Sequence, residues 1–382
     1  MDIGLFGGFG EKGRTSIAAR SGATCLLMDA GIKVGAQGDA YHPALVWAAS
    51  ELDALLVTHA HEDHVGALAW LQGQGFRGRI FMTAETIQEA PATLAAYARP
   101  ADLKANPFPR GQIEIFEPGE TLSIGNMTVE TGRSGHVVGG VWFAVDDGSS
   151  RVVHCGDVVP DSSVFFMDPI PQCDLVVLDA SYGDDPVPGT DRSKAIADWI
   201  AMHPRGCLLP TPLSGRSLEL IAAFPAAFAI HASMRDALHA QIATQAALRP
   251  GMAERLDEKL ANAVDWRDGD ALPEVPLLAD DGMGQAGPSA RLLPRAEAAG
   301  FPVLLTGHLP AGSPGQSMHA AGKADWIRMP THPTRPGNVA IWEGAGRPMA
   351  LGHSCPPADL QALHSHIPGL RVDSRTGQTF KL

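Results

Sequence analysis

No stretch of the 382-residue chain approaches the roughly 18 apolar residues that a membrane-spanning helix requires, and no cationic segment followed by an apolar run opens it. A protein of the cytoplasm, without a membrane partner, is the expectation. Cysteine is scarce: Cys25, Cys155, Cys173, Cys207 and Cys355 are odd in number and form no CxxC pair. That argues against a disulfide framework and against a thiolate zinc site, and leaves reduced, mostly buried thiols. Positive charge is short as well. The 29 Lys and Arg are outnumbered by 42 Asp and Glu, giving a formal net charge of -13. Such a balance opposes non-specific attraction to nucleic acid along an extended basic groove. The segment 186–330 is nearly balanced, so the acidic excess falls on the rest of the chain, partly on candidate metal ligands. Two divalent cations would return charge there.

The chain is rich instead in one local pattern. His59-Ala60-His61-Glu62-Asp63-His64 gathers three imidazoles and a carboxylate directly after the apolar run Leu52–Thr58, which reads as a buried strand, while Val65–Leu71 begins helical. Alternate residues of an extended segment share a face, so His59 and His61 can converge on one ion while Asp63 and His64, across the turn, face a second. The motif, HxHxDH, resembles that of the metallo-β-lactamase superfamily. That resemblance implies an α/β fold, a four-layer αβ/βα sandwich with metals at one edge.

Two later segments supply ligand types that the first motif lacks. His136 lies in the glycine-rich loop Gly135–Gly140, and Asp157 follows the strand Val152–Cys155 after Gly156. A carboxylate has two oxygens and can bridge two cations. The expected first site is therefore His59, His61 and His136, the second Asp63 and His64, with Asp157 shared. Imidazole-rich ligation with carboxylate help favours two zinc ions, with manganese as an alternative. Asp29, ending the strand Cys25–Met28, fits a carboxylate that orients a ligand histidine, or an ordinary strand-end turn.

Short apolar runs separated by glycine turns mark the amino-terminal half as mixed α/β: Ile3–Phe6, Thr24–Asp29, Arg79–Met82, Val141–Val145, Val152–Cys155 and Leu175–Asp179 read as strands. From about Asp191 the texture turns helical, through Ile221–Leu248 and Met252–Val264, and after the Pro-rich segment Met329–Gly337 the run Asn338–Trp342 reads as a further strand. The simplest parsing is a hydrolase core over 1–185, an inserted domain over 186–330, and a return segment over 331–382 that completes the core. No internal repeat interrupts it.

Several segments in register resemble the β-CASP branch of the superfamily, mainly nucleases with a cap inserted in the core. They are Gly10–Arg14, Gly135–Gly140, Asp179-Ala180-Ser181-Tyr182-Gly183, Leu209–Leu220 with its Gly215-Arg216 pair, Gly282–Ser289, and Thr306–Gly315, where His308 replaces the usual tyrosine. The resemblance implies an inserted β-CASP-like α/β cap and leaving-group machinery made of an acidic residue and a later histidine, by position Asp179 and His353. The family's further histidine, some twenty residues on, is missing; Asp373 in Leu370–Arg375 is the candidate replacement ligand. His364 and His366 read as solvent-facing.

The function this implies is a two-zinc phosphodiesterase that cleaves single-stranded RNA or DNA, RNA favoured, using water activated by the metals, with Asp63, Asp179 and His353 as the catalytic set. Ser354, Ser289 and the Gly312–Gly315 loop are candidate phosphate contacts. A homodimer is compatible with it. The acidic balance and the lack of a basic tail favour a rival reading, a hydrolase of a small ester, lactone or cyclic phosphodiester. A third, a binding or scaffold subunit with one metal lost, is opposed by the otherwise full set of ligands.

Overall fold

A computed structural model describes residues 1–309 and 312–382, in two compact units. The first unit comprises Met1–Pro160, Met167–Pro186 and His332–Leu382, and the second Asp161–Phe166 with Val187–Thr331. The short Asp161–Phe166 segment thus belongs with the inserted residues rather than with the chain around it.

In the first unit the strands β1 (Asp2–Gly7), β2 (Ser16–Ser21), β3 (Thr24–Met28), β4 (Ala54–Leu56), β5 (Arg79–Met82) and β6 (Ile113–Ile115) form one sheet, closed by Thr379–Lys381 pairing with β1. Strands β7 (Thr121–Ile124), β8 (Met127–Arg133), β9 (Val141–Asp146), β10 (Arg151–His154) and β11 (Leu175–Asp179) form a second sheet, with Met349–His353 added at the far edge beside β11. Alternation along these strands makes two apolar faces per sheet. Leu26, Leu56, Phe143, Val152, Val177 and Leu351 meet in one fully buried cluster, the layer between the sheets. On the outer side of the first sheet Leu55 and Val57 pack with Val65, Leu68 and Ile87 of helical segments. On the outer side of the second, Val153, Val176 and Leu178 pack with Ile341, Trp342, Leu360 and Leu363. Helices, sheet, sheet, helices: this is the αβ/βα sandwich that the HxHxDH motif implied.

The second unit is built on a parallel sheet in the order Leu208–Pro210, Leu277–Ala279, Ala229–His231, Val264–Trp266, extended at one edge by a bridge from Leu208 to Val303. Helix Arg216–Ala223 connects Leu208–Pro210 to Ala229–His231, and helices Arg235–Ala243 and Met252–Asn262 connect Ala229–His231 to Val264–Trp266, while Gly189–Ala201 precedes the first strand and Ser289–Ala299 follows Leu277–Ala279.

Two expectations of local structure change. Asn338–Trp342 is not a strand but the middle of the helix Arg335–Gly344, which begins with Pro336 in its first turn and buries Asn338, Ile341 and Trp342 at helical spacing. Ile221–Leu248 is not continuously helical, because the buried strand Ala229–His231 divides it. Four cysteines are buried, Cys173 is half-buried, and all are free thiols. No helix among the described residues is long and apolar enough to cross a membrane.

Candidate metal centre

The strands of the first unit deliver the chemistry at their carboxyl ends. Asp29 follows β3, His59 and His61 follow β4, Asp157 follows β10, Asp179 ends β11, and His353 ends its strand as the register partner of Asp179. His64 lies in the one-turn helix Glu62–Val65. That turn is too short to be stable alone, and it is held from outside: the carbonyls of Glu62, Asp63 and His64 accept the N–H groups of Ile32, Thr15 and Ala30. The glycine-rich opening loop Gly10–Arg14 thus leads into residues that clamp the metal motif.

Beneath it lies a hydrogen-bonded support. Asp29, fully buried with φ +61°, accepts the Thr58 N–H at 2.8 Å, the Thr58 hydroxyl at about the same reach, and His64 Nδ1–H at 2.8 Å. Since the Thr58 proton goes to the carboxylate, Thr58 Oγ1 accepts from His59 Nδ1–H at 3.0 Å. With Nδ1 engaged below, both imidazoles direct Nε2 toward the centre. Burial would raise the pKa of Asp29, but His64 and His154 outweigh it and bring it to about 2.

His59 Nε2 lies 3.0 Å from His61 Nδ1, which lies 3.3 Å from His136 Nε2, and Asp157 Oδ2 is 3.7 Å from both Nε2 atoms. Ligands around a tetrahedral zinc at Zn–N of about 2.0–2.1 Å are separated by about 3.3–3.4 Å, and these four atoms, all within 4.8 Å of one another, are spaced closely enough to share one such ion. Burial pushes His59 far below its ordinary pKa, as does the charge on His64, and burial brings His136 to about 3 against the pull of Asp157. Neutral imidazoles are what an ion needs.

A second group, Asp157, Asp179 and His353, is also close enough to share an ion. His64 Nε2 faces Asp157 Oδ1 at 3.1 Å, yet both atoms are buried with no hydrogen-bond partner. Burial opposes charge on His64, but Asp157, Asp29 and Asp63 together push its pKa well up. A cavity that draws a proton onto His64 is one that a cation fits. Asp63, with its side chain 30% exposed, lies 3.9 Å from His64 Nε2 on the open side.

Two expected residues stand differently from the sequence reading, and one unexpected residue joins the site. Asp373 is exposed, paired only with Arg371 at 3.5 Å, and joins neither group. His353 was expected to be the leaving-group acid held by Asp179; it is fully buried on the floor of the site, its Nε2 donating to the Gly156 carbonyl at 3.0 Å. The imidazole bonded to Asp179 is His332, with Nδ1 at 2.8 Å from Oδ2 and 3.6 Å from Asp157. Burial lowers the pKa of His332, but Asp179 and Asp157 overcome it and push it up to about 10. Sequence reasoning misses His332, which sits inside a Pro-rich stretch. The available signal was its position, a histidine in Thr331-His332-Pro333 where the chain re-enters the core just ahead of a helix.

The candidate phosphate contacts are also engaged. Ser354 Oγ lies 3.3 Å from Thr15 Oγ1 and from His353 Nδ1, and Ser289 Oγ donates to the Ala279 carbonyl. In Thr306–Gly315, Pro310 and Ala311 lie outside the described residues; Ser313 caps the helix Pro314–Ala320. His366 is exposed beside Asp184, as expected of a solvent-facing residue, whereas His364 Nδ1 is tied to the Leu370 carbonyl.

Residues 24–231, more than half of the chain, match the family described as the beta-lactamase superfamily domain. Ribonuclease TTHA0252 of Thermus thermophilus is 31% identical over 202 residues, 49% of this chain and 45% of that protein. Transcription termination factor FttA of Cenarchaeum symbiosum is 26% identical, covering 58% and 38%, and cleavage and polyadenylation specificity factor 73 of Drosophila melanogaster is 26% identical, covering 58% and 35%. The matched region spans less than half the length of each of these relatives. A crystal structure of a protein of unknown function from Enterococcus faecalis superposes over 100% of this chain and 99% of its own at a TM-score of 0.65 and 12% identity, which extends the likeness of fold to the whole chain. With the αβ/βα core, the histidine and aspartate groups at its strand ends and a family match over half its length, the chain belongs to the metallo-β-lactamase superfamily and has β-CASP-like relatives.

Proposed function

We propose that this protein is a metal-dependent phosphodiesterase that cleaves single-stranded nucleic acid, RNA in preference to DNA, at a centre for two divalent ions, zinc by preference. The observation that carries the reading is the ion-sized spacing of His59, His61, His136 and Asp157 together with the orphaned His64 Nε2 and Asp157 Oδ1 beside it. His59, His61 and His136 would hold the first ion, Asp63, His64 and His353 the second, with Asp157 between them. Bound there, the ions would supply an acidified water near neutral pH and neutralise charge on the phosphoryl oxygens.

The chain's own residues do the rest. Asp179 holds His332 by Nδ1, which leaves Nε2–H as the group that can give a proton to the departing oxygen. Asp157 and Asp179 favour the imidazolium, and cations bound beside Asp157 would draw its pKa down toward the range where it both holds and releases a proton. Tyr182, its ring 5.0 Å from that of His332 and edge-on, limits the tilt of the imidazole. The inserted residues 186–330 serve as the cap, and the names of the curated relatives, a ribonuclease among them, support an RNA substrate.

The net charge of -13 favours a second reading, hydrolysis of a small ester, lactone or cyclic phosphodiester at the same centre. Zinc-loaded protein given end-labelled single-stranded RNA and DNA of matched sequence, beside a panel of small phosphodiesters and lactones, separates the two. Laddering of the strands, lost in the His59→Ala/Asp63→Ala variant, supports the nuclease. Turnover of the small substrates alone overturns it.

A further inference from the structure

One buried imidazole in the first unit is unused by this scheme. His154 ends β10 in the second sheet, is fully buried, and donates its Nε2–H to Asp29 Oδ2 at 2.9 Å, while Asp29 follows β3 of the first sheet. The bond ties the two sheets together directly under the metal centre. The same carboxylate oxygen receives His64 Nδ1–H, so Asp29 is gripped from both sides. The ring of His154 also lies 5.6 Å from that of His353, inclined at 59°. Its Nδ1 is buried with no partner. A ring serving only to fill space would be better supplied by phenylalanine, because an unsatisfied buried nitrogen carries a desolvation cost that an apolar ring avoids.

We propose that His154 is a positioning residue for the second ion: through Asp29 it fixes the orientation and tautomer of His64, and by its ring it backs His353. The inference rests on the two-ion reading above. Asp29 has positive φ, and its carboxylate is oriented by its donors, the Thr58 N–H and hydroxyl, His64 and His154. Without His154, Oδ2 loses one of the imidazole donors that hold it, the carboxylate can rotate about its anchor on the Thr58 N–H, and the His64 ring follows it away from Asp157. The first ion's residues feel this motion less directly. His59 reaches Asp29 through the Thr58 hydroxyl, which lies 3.0 Å from Oδ1 and 2.9 Å from Oδ2, and the Thr58 N–H keeps Oδ1, the oxygen His154 does not touch, in place. Support of this kind under a metal ligand is worth about 10–100-fold in affinity.

The test is a zinc titration against a chromogenic chelator, with metal content read by atomic emission, on wild type, His154→Phe and His154→Gln. Phenylalanine keeps the ring and removes the donor; glutamine returns an N–H donor. The expected result is two ions in wild type, about 10–100-fold weaker binding of the second ion with a clearly smaller loss at the first in His154→Phe, and recovery of most of that loss in His154→Gln. His154→Phe binding both ions as wild type does, or losing both equally without recovery in His154→Gln, overturns the inference and leaves the two-ion reading standing. Wild type that takes up a single ion overturns both. Should His154→Phe fail to fold by thermal melting, His154→Asn, too short to reach Asp29, takes its place: it should weaken the second ion, and add nothing in an Asp29→Asn background. Additive losses there contradict a path through Asp29.

Discussion

Asp179 can hold one imidazole well, and which one it holds decides the division of labour. His332 is bonded to it and has its side chain 21% exposed, whereas His353 is closed off on the floor beside Asp157. His332→Ala should therefore lower kcat by about 10²–10⁴-fold with both ions retained, since it removes a proton donor and no ligand. His353→Ala should instead release one ion per chain. Metal content measured beside turnover checks both, and the reverse pattern would return His353 to the acid's role. Asp373→Ala should change neither quantity, because its carboxylate is exposed and bound only to Arg371. Four of the candidate ligands, His59, His61, Asp63 and His64, were legible because they crowd into six residues after a strand, where local geometry alone brings them together. His332 and His353 were not separable that way: each is a single histidine in a short segment, and burial and the partner of Asp179 are set by residues more than 150 positions distant.

Among the elements, the one-turn helix carrying Asp63 and His64 depends on the strip Ala30–Ile32 that takes its carbonyls. Gly31 is where this strip passes the helix, and a Cβ there would fall 1.7 Å from the Asp63 carbonyl oxygen. Gly31→Ala should cost roughly 1–3 kcal/mol of stability and weaken the second ion more than the first, read by thermal melting and zinc titration. A second prediction concerns the loop holding His42, which stacks on Trp70 of the helix Leu68–Gly73 at 4.6 Å and 8°. Burial, aided by Arg99, brings its pKa down to about 4. The unfolded chain then binds a proton between about pH 6.5 and pH 4 that the folded chain does not, so stability from this group is lost as pH falls through that window. His42→Phe keeps the stack and removes the proton site. Its melting temperature should fall less than that of wild type between pH 7 and pH 4; equal falls contradict the assignment. Sequence texture identified most strands, because two-residue alternation or short apolar runs bounded by glycine are local properties. It misread Asn338–Trp342, where a β-like composition is overridden by Pro336 at the helix start and by a buried stripe of period 3.6.

At the scale of the whole molecule, the two sheets of the first unit carry an apolar layer between them and helices on their outer faces, and the centre is assembled from strand ends of both. Ions bound there would cross-link the segment after β4, the loop between β8 and β9, the end of β10 and the strand Met349–His353. Stripping them with a chelator should lower the melting temperature by several degrees, the loss of about 4 kcal/mol expected when free zinc stood 1,000-fold above its Kd. The four-layer architecture was legible only through the HxHxDH resemblance, since composition and periodicity give strands and helices without their stacking order. The measurement that tests the account most directly is anomalous scattering at the zinc edge from crystals of the zinc-loaded protein. Two peaks about 3.5–4 Å apart are predicted, one among His59, His61, His136 and Asp157 and the other among Asp63, His64, Asp157 and His353. A single peak, or a second ion held by Asp373 in place of His353, would contradict it.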